Sequence, residues 1–280
     1  MSEAWDLARR AASAAGVELR PLPTLEDADE IIRVLLATWG DGQVVPREMV
    51  RALAESGNVP YGAFAGPELV GYVLGWAGVD PDEGLHVHSH MLAAVPDRRH
   101  QGIGYALKLA QRAQALDQGI TRVRWTYDPL VARNAYFNLT KLGAVVDRFE
   151  RNFYGDMVDS VNRGDRSDRF FVRWNLESPP GPWSVAVDGE PAVVVRREPD
   201  GGPAAFDADD DTVVIEVPSD HLAMRSSDPV LAAAWRDAVA EAAEVCLGRG
   251  LVGASFDRDR GAYVFGRTYT RATVDTRSET

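Results

Sequence analysis

Residues 85–119 read LHVHSHMLAAVPDRRHQGIGYALKLAQRAQALDQG, and this stretch sets the expected fold. A strand-like run from Leu85 to Val95 stops at Pro96, passes a short basic turn and reaches Gly102-Ile103-Gly104, where a helix opens at once. Strand, glycine turn and helix together present unpaired backbone N–H groups and a positive dipole end to an anion. Glycine suits the turn because a side chain would hold a phosphate away from the backbone. Ile103, Ala106, Leu107, Ala110, Ala113 and Leu116 fall on one helical face, and Gly119 supplies a stop. Lys108 and Arg112 lie one turn apart on that helix, with Arg98, Arg99 and His100 before it, so the element reads as a polyphosphate holder. A dinucleotide fingerprint would want a third glycine where Leu107 stands, and no Lys-Ser ending of a P-loop is present.

Arg99-x-x-Gly102-x-Gly104 between a strand and a long helix resembles the acetyl-CoA-binding motif of the GNAT superfamily of N-acetyltransferases. The resemblance runs over about residues 17 to 176. It implies that acetyl-CoA is the co-substrate. Its pyrophosphate would be held by the turn at Arg99, His100, Gln101, Gly102, Ile103, Gly104 and Tyr105. Its pantetheine arm would pair with the strand backbone at Leu92, Ala93 and Ala94.

Net charge of −12 argues against nucleic acid, whose phosphates need an excess of Lys and Arg, and disfavours an anionic membrane surface. It is compatible with a cationic amine. A single cysteine, Cys246, excludes an internal disulfide and fits a reducing compartment, and it reads as a small buried side chain. With no signal-peptide core and no membrane-length apolar run, the expectation is a cytoplasmic protein with a small-molecule partner; a homodimer is compatible with it.

Read in order, a helix spans about Ser2 to Ala15 and a strand Val17 to Leu22. Thr24 with Asp27 caps a helix to about Trp39, and Pro46 opens another to Ser56. Val59 to Ala65 and Leu69 to Val79 form a hairpin around Gly66-Pro67. After the central element come a strand at Arg122 to Tyr127, a helix from Leu130 to Leu142, and strands at Val145 to Phe153 and Arg169 to Leu176. The fold class is α/β (α+β), a GNAT-like mixed central sheet flanked by helices. Ser178-Pro179-Pro180-Gly181-Pro182 is a stiff linker, which divides the chain into domains at 1–177 and 183–280. The second is a smaller α+β domain with strands at Trp183 to Val187, Ala192 to Arg196, Val213 to Val217, Leu251 to Phe256 and Ala262 to Tyr269, and a helix at Pro229 to Leu247. Its Ile215-to-Gly250 outline echoes the central strand–helix element as a degenerate half-repeat, an outline that a coincidence of common βαβ patterns explains as well.

His86, His88 and His90 alternate along the central strand and so project from one face if it is regular. Two functions are open to them. As a general base, one would deprotonate an arriving ammonium, since imidazole titrates near working pH. Counted from the glycines, His88 and His90 fall where arylalkylamine N-acetyltransferases, a branch of the superfamily, carry a histidine pair, so His90 and then His88 are the candidate bases, ahead of Glu83. As metal ligands they would need a third partner that the sequence does not identify, and no metal is expected. The backbone near Leu92 is the candidate oxyanion donor. Many relatives carry a tyrosine as general acid four residues before the glycine that ends the last helix; here that position is Leu139, which leaves Tyr136, Tyr127 or water. Asn134 and Asn138 are candidates for the pantetheine amides, the Tyr154–Asp168 connection for bordering the acceptor, and His221 reads as a surface residue. The functions to separate are an acyl-CoA-dependent N-acyltransferase acting on the primary amine of a small molecule, a non-catalytic acyl-CoA-binding protein, and a metal-dependent enzyme.

Overall fold

The computed structural model describes residues 2–40, 45–99, 101–159, 162–186 and 189–272. These form two compact units: Met1–Trp125 with 158–163 and 175–177, and Thr126–Met157 with 164–174 and Ser178–Thr280. The linker Ser178–Pro182 opens the last segment of the second unit.

In the first unit α1 (Glu3–Ala14) precedes β1 (Glu18–Pro21). The helix α2 (Leu25–Trp39) starts with the expected reciprocal cap, in which Thr24 Oγ1 accepts from the Asp27 amide while the Asp27 carboxylate accepts from the Thr24 amide. Then come α3 (Arg47–Glu55), β2 (Tyr61–Ala65), β3 (Glu68–Asp80), β4 (Gly84–Ala94), α4 (Ile103–Asp117) and β5 (Arg122–Tyr127). The strand order is β1-β2-β3-β4-β5, antiparallel except for the parallel pair β4–β5. The apolar face of α2 packs Ile31, Val34 and Leu35 on Leu74, Met91 and Ala93, whereas Ile103 and Leu107 of α4 pack on Ala63, Val70 and Val73. The helices therefore cover both faces of the sheet.

Gly75 of β3 is closed in by the neighbouring strand β4 and by α4. A Cβ built there would lie 2.5 Å from the His88 carbonyl and 2.9 Å from the Gln111 side-chain amide. Gly75→Ala should therefore lower stability by about 2 kcal/mol, read as a drop in the urea midpoint at unchanged slope. An unaltered midpoint would mean that the β4 backbone and the Gln111 side chain can yield to a methyl group at no cost.

The second unit holds α5 (Ala132–Ala135), which continues as π-helical Tyr136–Leu142 and stops at Gly143 in the left-handed region. The single predicted helix at 130–142 is thus a short α-helix followed by a wider coil. Next are β6 (Val145–Glu150), β7 (Arg169–Asn175), β8 (Trp183–Val185), β9 (Ala192–Arg197), β10 (Pro203–Ala205) and β11 (Thr212–Glu216). After these come α6 (His221–Ser227), α7 (Pro229–Gly248), β12 (Val252–Asp257), β13 (Ala262–Gly266) and β14 (Tyr269–Arg271). The run predicted at 262–269 is two strands, since β13 joins the larger sheet and β14 pairs with β8. The order is β7-β6-β12-β13-β11-β9-β10, with the hairpins β6–β7 and β12–β13 meeting through Val146 and Gly253. Each hairpin follows a helix. The echo of the central strand–helix–strand element does not extend to strand order: β13 lies between β11 and β12, whereas β4 and β5 are direct neighbours. No helix among the described residues is long and apolar enough to cross a membrane.

Candidate functional site

Pairing between β3 and β4 shifts by one residue, with Leu74 opposite Met91 but Gly75 opposite Ser89, so His90 is the extra residue of a bulge. The bulge keeps His88 and His90 together, their ring centroids 5.7 Å apart, and Trp76 covers both at 5.1 and 4.9 Å. His88 is half-buried, and His90, though covered by Trp76, keeps solvent access. Burial, with the fields of His90, His86 and Lys108 adding to it, lowers the His88 pKa to about 4; burial also lowers that of His90. His86 does not join them. Its ring lies over Gly78 across the strand pair, and its Nδ1 is 3.4 Å from the Gly84 carbonyl. Among the described residues no three His, Cys, Asp or Glu side chains converge as metal ligands. Glu83 turns to Arg122 and Arg124 at 3.6 and 3.7 Å.

β4 and β5 pair only at Val87–Val123 and His88–Arg124. Beyond that point the two strands fork, so Ser89 to Ala94, which include Leu92 and Ala93, have no strand partner on the β5 side among the described residues. A bare strand edge can take up an extended, amide-bearing chain. At the end of that edge Pro96–Arg98 makes a 3₁₀ turn and α4 begins. Gly102 is the residue before the helix, with φ of 85°, a conformation that costs other residues energy. No side chain caps α4, which leaves the amides of Ile103, Gly104 and Tyr105 without helical partners. Arg98 and Arg99 are exposed beside it with no carboxylate partner among the described residues. Gln101 is exposed, its amide 3.5 Å from the Asp97 carbonyl, and Tyr105 is half-buried. His100 lies outside the described residues.

Lys108 and Arg112 do not join this anion-binding end. Both are buried, and Lys108 lies on the sheet side of α4, where its Nζ donates to Ser89 Oγ (2.8 Å) and Gln111 Oε1 (3.1 Å) and lies 3.7 Å over the Trp125 ring. Arg112 donates to the Leu176 carbonyl at 2.6 Å. Burial lowers the Lys108 pKa well below the usual lysine value, and no carboxylate offsets it. The unfolded chain therefore binds a proton that the folded chain holds less tightly, so stability rises with pH up to the unfolded lysine pKa, about 10.4. Replacing Lys108 with Met should raise stability near pH 7 by roughly 1–3 kcal/mol. The gap in Tm should narrow as the pH approaches 10, and a variant less stable than the parent at pH 7 would contradict the burial cost.

The remaining candidates belong to the second unit. Tyr136 opens the π-helical turn, with Lys141 Nζ 5.6 Å and the Arg258 guanidinium 5.2 Å from its ring centre. Asn134 is exposed, whereas Asn138 is buried and its carbonyl accepts from the Ala144 amide. Leu139 is fully buried core. Burial raises the pKa of Tyr127, which favours the neutral phenol.

The connection after Tyr154 is tied to α6 and α7 by ion pairs. Asp165 accepts from His221 Nε2 at 3.0 Å and from Arg236, and Arg236 also grips both oxygens of Asp128 at 2.6 and 2.9 Å. Arg166 bridges Asp168 and Asp237, and Arg151 pairs with Glu244. Burial opposes the charged form of Asp165, yet hydrogen bonds from His221 and Arg236 hold its carboxyl below the usual carboxylate range. His221 is therefore a buried residue of this network, only 2% exposed, and not the surface residue expected. Its partners are far away in sequence, so no local pattern announced them. Cys246 is buried, as expected.

Residues 28–140 match the Acetyltransferase (GNAT) family. Among solved structures, Naa20 of Chaetomium thermophilum with a bisubstrate analogue is 19% identical, covering 57% of this chain and 87% of its own at a TM-score of 0.46. The ribosomal-protein-S18-alanine N-acetyltransferase of Escherichia coli is 14% identical, covering 62% and 98% at 0.44. An aminoglycoside acetyltransferase from an uncultured soil metagenomic sample, with trehalose, is 19% identical, covering 44% and 84% at 0.39. No curated protein sequence matches the chain.

Proposed function

Because residues 28–140 carry a GNAT acetyltransferase domain, we propose that this protein transfers an acyl group, acetyl in the first instance, from coenzyme A to the primary amine of a small molecule. The observation that carries the reading is the alignment of two features on one strand. The bare edge of β4 from Ser89 to Ala94 leads directly to the uncapped amides at Ile103, Gly104 and Tyr105, beside Arg98 and Arg99. An extended arm ending in a diphosphate needs that sequence of donors. The donor set fits acetyl-CoA, which supplies an activated thioester.

The histidine pair supplies the proton chemistry. His90 is at the bulge and remains a neutral acceptor near pH 7, because burial lowers its pKa below the ordinary imidazole value. His88, at about 4, is the weaker base and serves as a relay beside it. The amine reaches the thioester as the free base once His90 holds its proton. The burial of Leu139, where many relatives carry a general acid, favours one second reading, a protein that binds acyl-CoA without turnover.

A thermal-shift titration with acetyl-CoA, followed by thiol detection across a panel of primary amines, separates the two. Stabilisation by acetyl-CoA with CoA release on adding an amine supports transfer. Stabilisation without release supports the binding protein, and no stabilisation removes both.

A further inference from the structure

The fork between β4 and β5 has a floor. His88 and Arg124 are the last paired residues, so Ser89 and Trp125 are the first on either side of the opening. Lys108 fills the space between them, with Nζ bonded to Ser89 Oγ and lying over the Trp125 ring. Gln111 closes it from behind: its side-chain oxygen takes a second bond from Lys108, and its nitrogen passes 2.9 Å from where a Cβ on Gly75 would stand. Ser89, Lys108, Gln111 and Trp125 are each under 8% exposed, so the fork ends in packed side chains. A buried lysine is a costly filler, since a methionine of similar length would close the same space with no charge to desolvate. A costly residue at the end of a slot is a sign of a functional constraint there.

We propose that Lys108 and Trp125 form the end wall of the acyl slot and limit the donor to short acyl chains, acetyl and propionyl. The inference rests on the reading that coenzyme A lies along the bare edge of β4. On that reading the acyl group is the leading end of the donor. It travels from Ala94 toward Ser89 and stops one residue past His90, against the Lys108 amine and the Trp125 ring. A two-carbon group ends at this wall; a six-carbon group would have to displace buried side chains that are packed and hydrogen-bonded. The bulk of Trp125 and of the Lys108 side chain together sets the depth, so truncating either should open the slot.

The test uses unreactive thioethers and needs no acceptor. CoA, S-ethyl-CoA and S-hexyl-CoA are titrated calorimetrically into the full-length protein, Trp125→Ala, Lys108→Ala and Lys108→Met. The parent should bind CoA and S-ethyl-CoA within threefold of each other and S-hexyl-CoA at least tenfold more weakly. Trp125→Ala or Lys108→Ala should bring S-hexyl-CoA to within threefold of CoA, with Lys108→Met, which keeps the bulk, staying near the parent. The ratio of two ligands in one variant is insensitive to general loss of stability, and two independent openings guard against one failing to fold. Equal binding of S-ethyl-CoA and S-hexyl-CoA by the parent would overturn the inference. So would an unchanged ratio in both opened variants that still bind CoA. A parent that binds none of the three up to 1 mM, about 4 kcal/mol of affinity, would instead refute the underlying coenzyme A reading.

Discussion

Gly104→Glu is expected to abolish coenzyme A binding and leave the fold intact, a combination few substitutions offer. Gly104 is the second residue of α4, where the amides have no helical partners. A glutamate there sets its own carboxylate against those donors and fills the space a diphosphate would occupy. It also adds a negative charge where two phosphates would sit, so a loss of at least a hundredfold in affinity is expected. The helix itself should gain, because an acidic residue in the first turn complements the helix dipole by about 0.3–1 kcal/mol. The variant should therefore melt at or slightly above the parent without ligand, while only the parent shifts when CoA is added. If the variant binds CoA as tightly as the parent, the α4 terminus is not the phosphate site.

His90→Ala is expected to lower kcat by about a hundredfold with little effect on CoA affinity, the range that losing a positioned general base covers. The substitution removes an imidazole that meets Trp76 and His88 on the β3–β4 face, away from the α4 amides. The pH profile distinguishes a base from a packing residue. A base must be neutral to act, and burial holds His90 below its ordinary value, so the parent's activity should fall only on the acid side of about pH 6.5. That acid limb should disappear in His90→Ala. Full activity in the variant, or an unmoved limb, would transfer the role to His88 or to water.

Much of the architecture could be read from the sequence because local chemistry dictated it. Thr24 and Asp27 announce their capping box, Gly102 its left-handed turn, and alternating residues the strands of the central sheet. What could not be read depends on neighbours distant in sequence. The extra residue at His90 arises from how β4 registers on β3, which no periodicity within β4 encodes. Lys108 and Arg112 look like surface cations at helical spacing, and only the fold around α4 buries them. The same holds for His221. The strand–helix outline after Thr212 was visible, but which strand would lie beside which was not, since β13 enters between β11 and β12 from later in the chain. For the histidine pair the sequence supplied the residues, and the folded strand supplied the Trp76 lid and the depressed pKa values.

Arg236 and Asp128 are 108 positions apart, and Arg236 also serves Asp165, 71 positions away. A chain leaving the ribosome makes both carboxylates long before it makes their guanidinium. Until α7 emerges, the stretch beyond β5 carries two acids with no reason to leave water, so burial of that stretch waits on the synthesis of α7. Order of synthesis thus becomes order of closure, with α7 as the step that commits the second unit.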